Sequence, residues 1–141
     1  MKKESSSDEH LMLMDRACEK LEAAKDLMED GHFSDSVSRA YYAMFFAARA
    51  LLCVEGIYPK THRGVMSKLA EEYVSKGGMS QVVFRRFASS QEEREKADYG
   101  LLSDMSKQDA EDALKAAECF LEAARCILKG KKQDQSSSGD Q

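Results

Sequence analysis

Ser38-Arg39-Ala40-Tyr41-Tyr42-Ala43-Met44-Phe45-Phe46-Ala47-Ala48-Arg49-Ala50-Leu51-Leu52 is the stretch on which the reading of this chain turns. Arginine supplies its only charges, and neither glycine nor proline interrupts it. With Val37 in front, Ala40, Tyr41, Met44, Phe45, Ala48, Leu51 and Leu52 recur at three- and four-residue steps, the period of an α-helix. Ala40, Ala43, Ala47 and Ala50 add small residues that let a neighbouring helix approach closely. A helix apolar over so much of its circumference belongs at the centre of a helical domain. The expected span is residues 34–55, with Ser34 as the cap and Gly56 and Pro59 closing it.

Four further helices surround it in the sequence. The first is expected over residues 8–30, with Asp8 as its cap, Leu11, Met14, Ala17, Leu21, Ala24 and Met28 as one apolar stripe, and Gly31 as its stop. The third covers residues 61–76, opened by Thr61, with Val65, Leu69 and Tyr73 facing inward and Gly77–Gly78 ending it. The fourth covers residues 79–99. Its first half carries Val82, Val83, Phe84 and Phe87; its second half, SSQEEREKADYG, is polar and reads as helix, short helix or loop. That polar face must lie in solvent, in an interface or in a site. The fifth covers residues 106–129, with Ser106 and Asp109 as a capping box and a stripe from Ala110 to Leu128. Residues 1–7 and 130–141 are too polar to bury anything and are expected to be disordered, leaving one domain over residues 8–129. Short connections between helices predict an all-α antiparallel bundle of four to five helices.

The composition narrows the function. A net charge of −4 removes any whole-chain attraction to nucleic acid, leaving only local basic patches. No apolar run is long enough to span a bilayer, and the polar start MKKESSSDEH is no secretory signal, so a cytoplasmic location without membrane contact is expected. Cys18, Cys53, Cys119 and Cys126 lie far apart without a C-x-x-C pair, which reads as free thiols among apolar residues. A di-iron bundle needs two Glu-x-x-His motifs, and only Glu29–His32 has that spacing, across Gly31. No phosphate-binding glycine loop, nucleophile elbow or helical repeat is present. No metal and no cofactor are expected.

Pro59-Lys60-Thr61-His62 and Arg94-Glu95-Lys96-Ala97-Asp98-Tyr99 follow the quoted helix. In order and content the three segments resemble a prokaryotic branch of the HEPN superfamily (higher eukaryotes and prokaryotes nucleotide-binding). That branch carries a Y-Y-A-x-F helix, a T/S-H helix start and an R-x-x-x-D-Y segment. The resemblance covers residues 10–128 or so. It implies a helical bundle, usually a homodimer, that acts as a toxin-type or binding partner of a minimal nucleotidyltransferase, directed at RNA or nucleotides. Active members are metal-independent endoribonucleases whose signature is an arginine, four to six residues, then a histidine. Here the fifth residue after Arg94 is Tyr99, Phe46 stands where related sequences often carry histidine, and none of His10, His32 and His62 has the required arginine before it. These departures argue against ordinary ribonuclease activity. The alternative is a non-catalytic helical dimerisation or scaffold module.

Six residues are expected to line a site. Arg94 and Asp98 are one helical turn apart and read either as an exposed ion pair or as an anion-binding arginine with its orienting carboxylate. Arg39 lies one turn before Tyr42, a pairing that suits phosphate or base contact as well as a salt bridge. Tyr41 and Tyr42 sit about 100° apart on a helix, so only one faces the core. His62, near a helix start beside Lys60 and Arg63, is the histidine placed to move a proton or merely to cap. Tyr99 is expected to stack or donate a hydrogen bond. Arg85 and Arg86 are solvated charges, or with Lys60, Arg63, Arg94 and Lys96 one basic surface.

Overall fold

The computed structural model describes the backbone of residues 2–99 and 105–139, and the side chains of residues 8–99 and 105–131. Among them the chain is all helix: α1 Lys2–Glu29, α2 Phe33–Cys53, α3 His62–Leu69 continuing into a π-helical turn Ala70–Val74, α4 Gln81–Tyr99 and α5 Lys107–Gly139. No strand occurs among the described residues, so the expected all-α bundle is what the chain forms.

The central position of α2 follows from its composition. It packs against α1, α3, α4 and α5. Ala40, Ala43, Ala47, Ala48 and Ala50 are fully buried and let the flanking backbones come close. The neighbours answer in kind: Ala17 and Ala24 of α1, and Ala110, Ala117 and Ala124 of α5, recur every seven residues and are all fully buried. Met44, Leu51, Leu52, Phe87, Phe120 and Leu121 fill the remaining space. Removing such surface from water stabilises by about 25 cal/mol per Å². The α1–α2 hairpin is also pinned by Ser36, whose buried hydroxyl donates to the Ala24 carbonyl at 2.7 Å.

The ends follow local chemistry, with two corrections. Ser106 and Asp109 exchange backbone N–H to side-chain bonds of 2.9 and 3.1 Å, the expected capping box, and Thr61 accepts from the Gly64 N–H at 2.9 Å. Ser34 is not the cap of α2: the helix starts at Phe33 with His32 in the cap position and no side-chain cap. Asp8 is not a cap either, since α1 passes through it. At Gly31 (φ 84°) the chain leaves α1 in the left-handed conformation, with His32 N–H bonded back to Leu27 O at 2.8 Å. The polar half of α4, left open by its sequence, is continuous helix to Tyr99. Gly100 lies outside the described residues.

The expected disorder of residues 1–7 and 130–141 falls on ends whose side chains are mostly outside the described residues; their backbone continues α1 to Lys2 and α5 to Gly139. No proline interrupts either stretch, so nothing local stops the helices. Lys131, placed by composition in the tail, instead lies 5.4 Å from the Tyr73 ring centre and pairs with Glu55. Tyr73 donates to the Leu51 carbonyl at 2.6 Å, so this cluster ties the π-helical turn and α5 to the end of α2. No helix among the described residues is long and apolar enough to cross a membrane.

Candidate phosphate-binding site

Tyr41 and Tyr42 leave α2 in different directions, as their 100° offset requires. Tyr41 is the buried one, at 1% exposure, and Tyr42 is half-buried. The Tyr41 ring stacks near-parallel on Phe45 of its own helix, on Phe87 of α4 and on His62 of α3, with centroids 6.1, 5.8 and 5.7 Å away. His62 also stacks on Phe45 at 4.4 Å. Pro59 and the Thr61 cap start α3 at the place where this imidazole meets α2. Its Nδ1 lies 2.5 Å from the Tyr41 hydroxyl.

Arg94 comes from the polar half of α4, and its guanidinium lies over both tyrosines, 5.3 Å from the Tyr41 centroid and 5.7 Å from that of Tyr42. Nη1 donates to Asp98 Oδ2 at 2.9 Å and to the Tyr42 hydroxyl at 3.4 Å. The side chain is only 17% exposed, and Nε is buried without a hydrogen-bond partner among the described residues. Burial opposes the arginine's charge, but the Asp98 hydrogen bond, Tyr42 and Tyr41 outweigh it and hold its pKa above the ordinary value. The ion pair is therefore a half-buried clamp on an aromatic platform, neither solvated nor sealed in the core.

This platform perturbs its neighbours. Burial pushes the Tyr41 phenol up to about 12, although Arg94 pulls it down. The same two causes act together on His62: burial first, then the Arg94 charge, hold its pKa below the ordinary value, with Glu95 opposing. Glu95 is a neighbour that the sequence reading did not single out.

Beside the clamp opens a groove of about 640 Å³, whose lining includes Lys20 of α1, Asp35, Arg39, Tyr42 and Phe46 of α2 and Asp98 of α4. Arg39 is exposed there, so it shares a groove with Tyr42 and Asp98 without bonding to either. Five of the six expected residues thus converge: His62 and Arg94 around Tyr41, and Arg39, Tyr42 and Asp98 around the groove. Tyr99 does not join them. It is 75% exposed at the end of α4, and five residues of helix carry it about 140° around the axis from Arg94. The expected basic surface is also divided: Arg85 and Arg86 line a separate groove of about 660 Å³ between α4 and α5, facing Glu93, Asp109 and Asp112. Sequence reading missed the role of Tyr41, because its partner stands 21 residues away.

The comparisons with known proteins agree with this architecture. The family profile of the HEPN domain matches residues 11–127. A protein of Methanocaldococcus jannaschii named as a candidate toxin is 36% identical over 117 residues, which are 83% of this chain and 87% of that relative. A second candidate toxin of the same organism is 30% identical over 131 residues, 89% of each chain. A UPF0332 protein of Archaeoglobus fulgidus is 38% identical over 118 residues, 83% of this chain and 94% of its own.

Proposed function

The chain belongs to the HEPN family, and from that premise we propose that it is a toxin-type helical module that grips the phosphate backbone of RNA at Arg94. It acts as a homodimer in the cytoplasm, alongside a minimal nucleotidyltransferase. The toxin-type role is supported by the names of the two archaeal relatives; the dimer and the nucleotidyltransferase follow from the sequence resemblance.

The RNA reading is carried by one observation: Arg94 is oriented on one side by Asp98 and Tyr42 and backed by two aromatic faces. Arginine's planar fork suits phosphate, and rings beside a cationic groove suit single-stranded nucleic acid. Lys20, Arg39 and Phe46 in the adjoining groove extend that chemistry away from Arg94.

The test uses a labelled RNA pool and the purified full chain, without metal, beside Arg94→Ala and His62→Ala. The expected result is retention of RNA by the wild type, and loss of retention in an Arg94→Ala protein that stays folded by circular dichroism. Retention unchanged in Arg94→Ala sinks the reading. If Arg94→Ala instead dissociates or unfolds the protein, the clamp is an internal strut and the chain a scaffold. The burial of Arg94 is the observation that favours that second reading.

A further inference from the structure

His62 has two ring nitrogens, and among the described residues only one is engaged. Nδ1 meets the Tyr41 hydroxyl, and Tyr41 is itself buried. Burial pushes that phenol up to about 12, so it keeps its proton throughout the neutral range. The buried hydroxyl has no other acceptor among the described residues, so Tyr41 donates and Nδ1 accepts. With Nδ1 accepting, and with burial and the Arg94 charge both opposing a second ring proton, the imidazole rests neutral with its own proton on Nε2. Stacking on Phe45, with planes 16° apart, holds the ring at this angle. Among the described residues Nε2 has no hydrogen-bond partner, and it is not among the buried polar atoms that lack one. It is an accessible N–H on a half-buried ring that stacks on Tyr41, over which Arg94 lies.

We propose that Tyr41 is a positioning residue that locks His62 as a neutral Nε2–H donor, so that His62 and Arg94 hold an RNA phosphodiester without cleaving it. The proposal rests on the RNA reading above and sharpens it from RNA-directed to RNA-holding. Cleavage by the neighbouring 2′-hydroxyl requires a base to take its proton. Nε2 already carries a proton and cannot take another. Arg94 is permanently charged. The Tyr41 hydroxyl is committed to Nδ1, and Asp98 to Arg94. Glu95 of α4 also bears on His62, but burial and Arg94 outweigh it, while Lys60 and Arg63 flank His62 in the chain and add positive charge. Burial and the Arg94 charge thus favour the neutral imidazole, with Glu95 opposing.

The first measurement is the protonation pattern of His62 in the full-length chain, by nitrogen NMR between about pH 7 and about pH 9. The bare nitrogen is expected to be Nδ1, and in Tyr41→Phe the His62 titration midpoint moves up. The second is affinity for a labelled single-stranded RNA without metal. His62→Ala is expected to weaken binding about tenfold, the loss of one hydrogen bond to a charged group. His62→Gln supplies an amide N–H in place of Nε2–H and stays within about threefold of wild type. The RNA is recovered intact. Folding of each variant is checked by circular dichroism, and because Tyr41→Phe keeps the ring, its midpoint reads the hydroxyl rather than the packing. A bare Nε2, a Gln variant as weak as Ala, or RNA cut by the wild type and spared by His62→Ala overturns the proposal. If Arg94→Ala binds RNA normally, the RNA reading itself fails, while the NMR result still decides whether Tyr41 locks His62.

Discussion

Arg94 and Arg125 are both helix-borne arginines with a carboxylate on the same face, yet only one builds a site. Arg125 of α5 pairs with Glu122 at 3.8 Å and donates to the Cys18 thiol of α1 at 3.1 Å, and its side chain is 48% exposed. Lys25 and Glu118 share that α1–α5 seam at 3.6 Å, both open to solvent. Arg94 makes the same kind of intrahelical pair, but at 2.9 Å and 17% exposure, with two tyrosine rings beneath it. The difference lies in what faces each arginine. Opposite Arg125 is the hydrated edge of α1. Opposite Arg94 is the aromatic run of α2, which removes water from one side of the guanidinium and leaves it fewer competing partners. A charge held this way is worth more to a ligand than one that must first be stripped of water and fixed in one rotamer.

The comparison is broken most directly by removing Arg94. Arg94→Ala strands Asp98 and uncovers two rings, and is expected to cost about 1.5–3 kcal/mol in a urea melt, the range for a hydrogen bond to a charged group. Arg94→Lys keeps the charge but not the planar fork, and a roughly tenfold loss of RNA affinity is expected in a titration. If lysine serves as well as arginine, the planar fork contributes nothing. Tyr42→Phe removes only the hydroxyl that accepts from Arg94, and about 0.5–1.5 kcal/mol should be lost. The pH dependence has a definite sign. His62 has a lowered pKa in the folded state, so the unfolded chain binds more protons as pH falls below the ordinary histidine value of about 6.5. Stability is therefore full above that value and declines as pH falls through the folded pKa. The decline should shrink in His62→Gln, read as midpoints of thermal melts across that range.

The bundle was legible because its signals are local. Periodicity in residues 34–55 requires no knowledge of what packs against them, and a capping box such as Ser106–Asp109 closes within one turn. The site was legible only in part, because its contacts are distant in sequence. Arg94 could be paired with Asp98 from a four-residue spacing, but Tyr42 is 52 residues away and Tyr41 and His62 are 21 apart, joined by a turn whose path local chemistry does not set. Tyr99 shows the opposite error. Its nearness to Arg94 in sequence suggested a shared site, although helix geometry alone puts it on another face. Lys131 shows the limit of composition: a polar tail carries no apolar stripe, but one long side chain still finds Tyr73 and Glu55.

The smallest expected effect is the strictest test of the contrast. Arg125→Ala removes a guanidinium with as many polar partners as Arg94 has: a carboxylate and a thiol against a carboxylate and a phenol. If partners alone made a site, the two alanine variants would behave alike. On the present account, solvent already screens the Arg125 pair, and its loss should cost under about 1 kcal/mol. RNA affinity should stay at the wild-type level, because among the described residues α1 and α5 offer no ring to the guanidinium at that seam, and in the groove there Glu22, Glu118 and Glu122 outnumber Lys25 and Arg125. A loss of binding as large as that of Arg94→Ala would mean that the RNA lies along α5, and that the aromatic platform on α2 is a packing feature of the core.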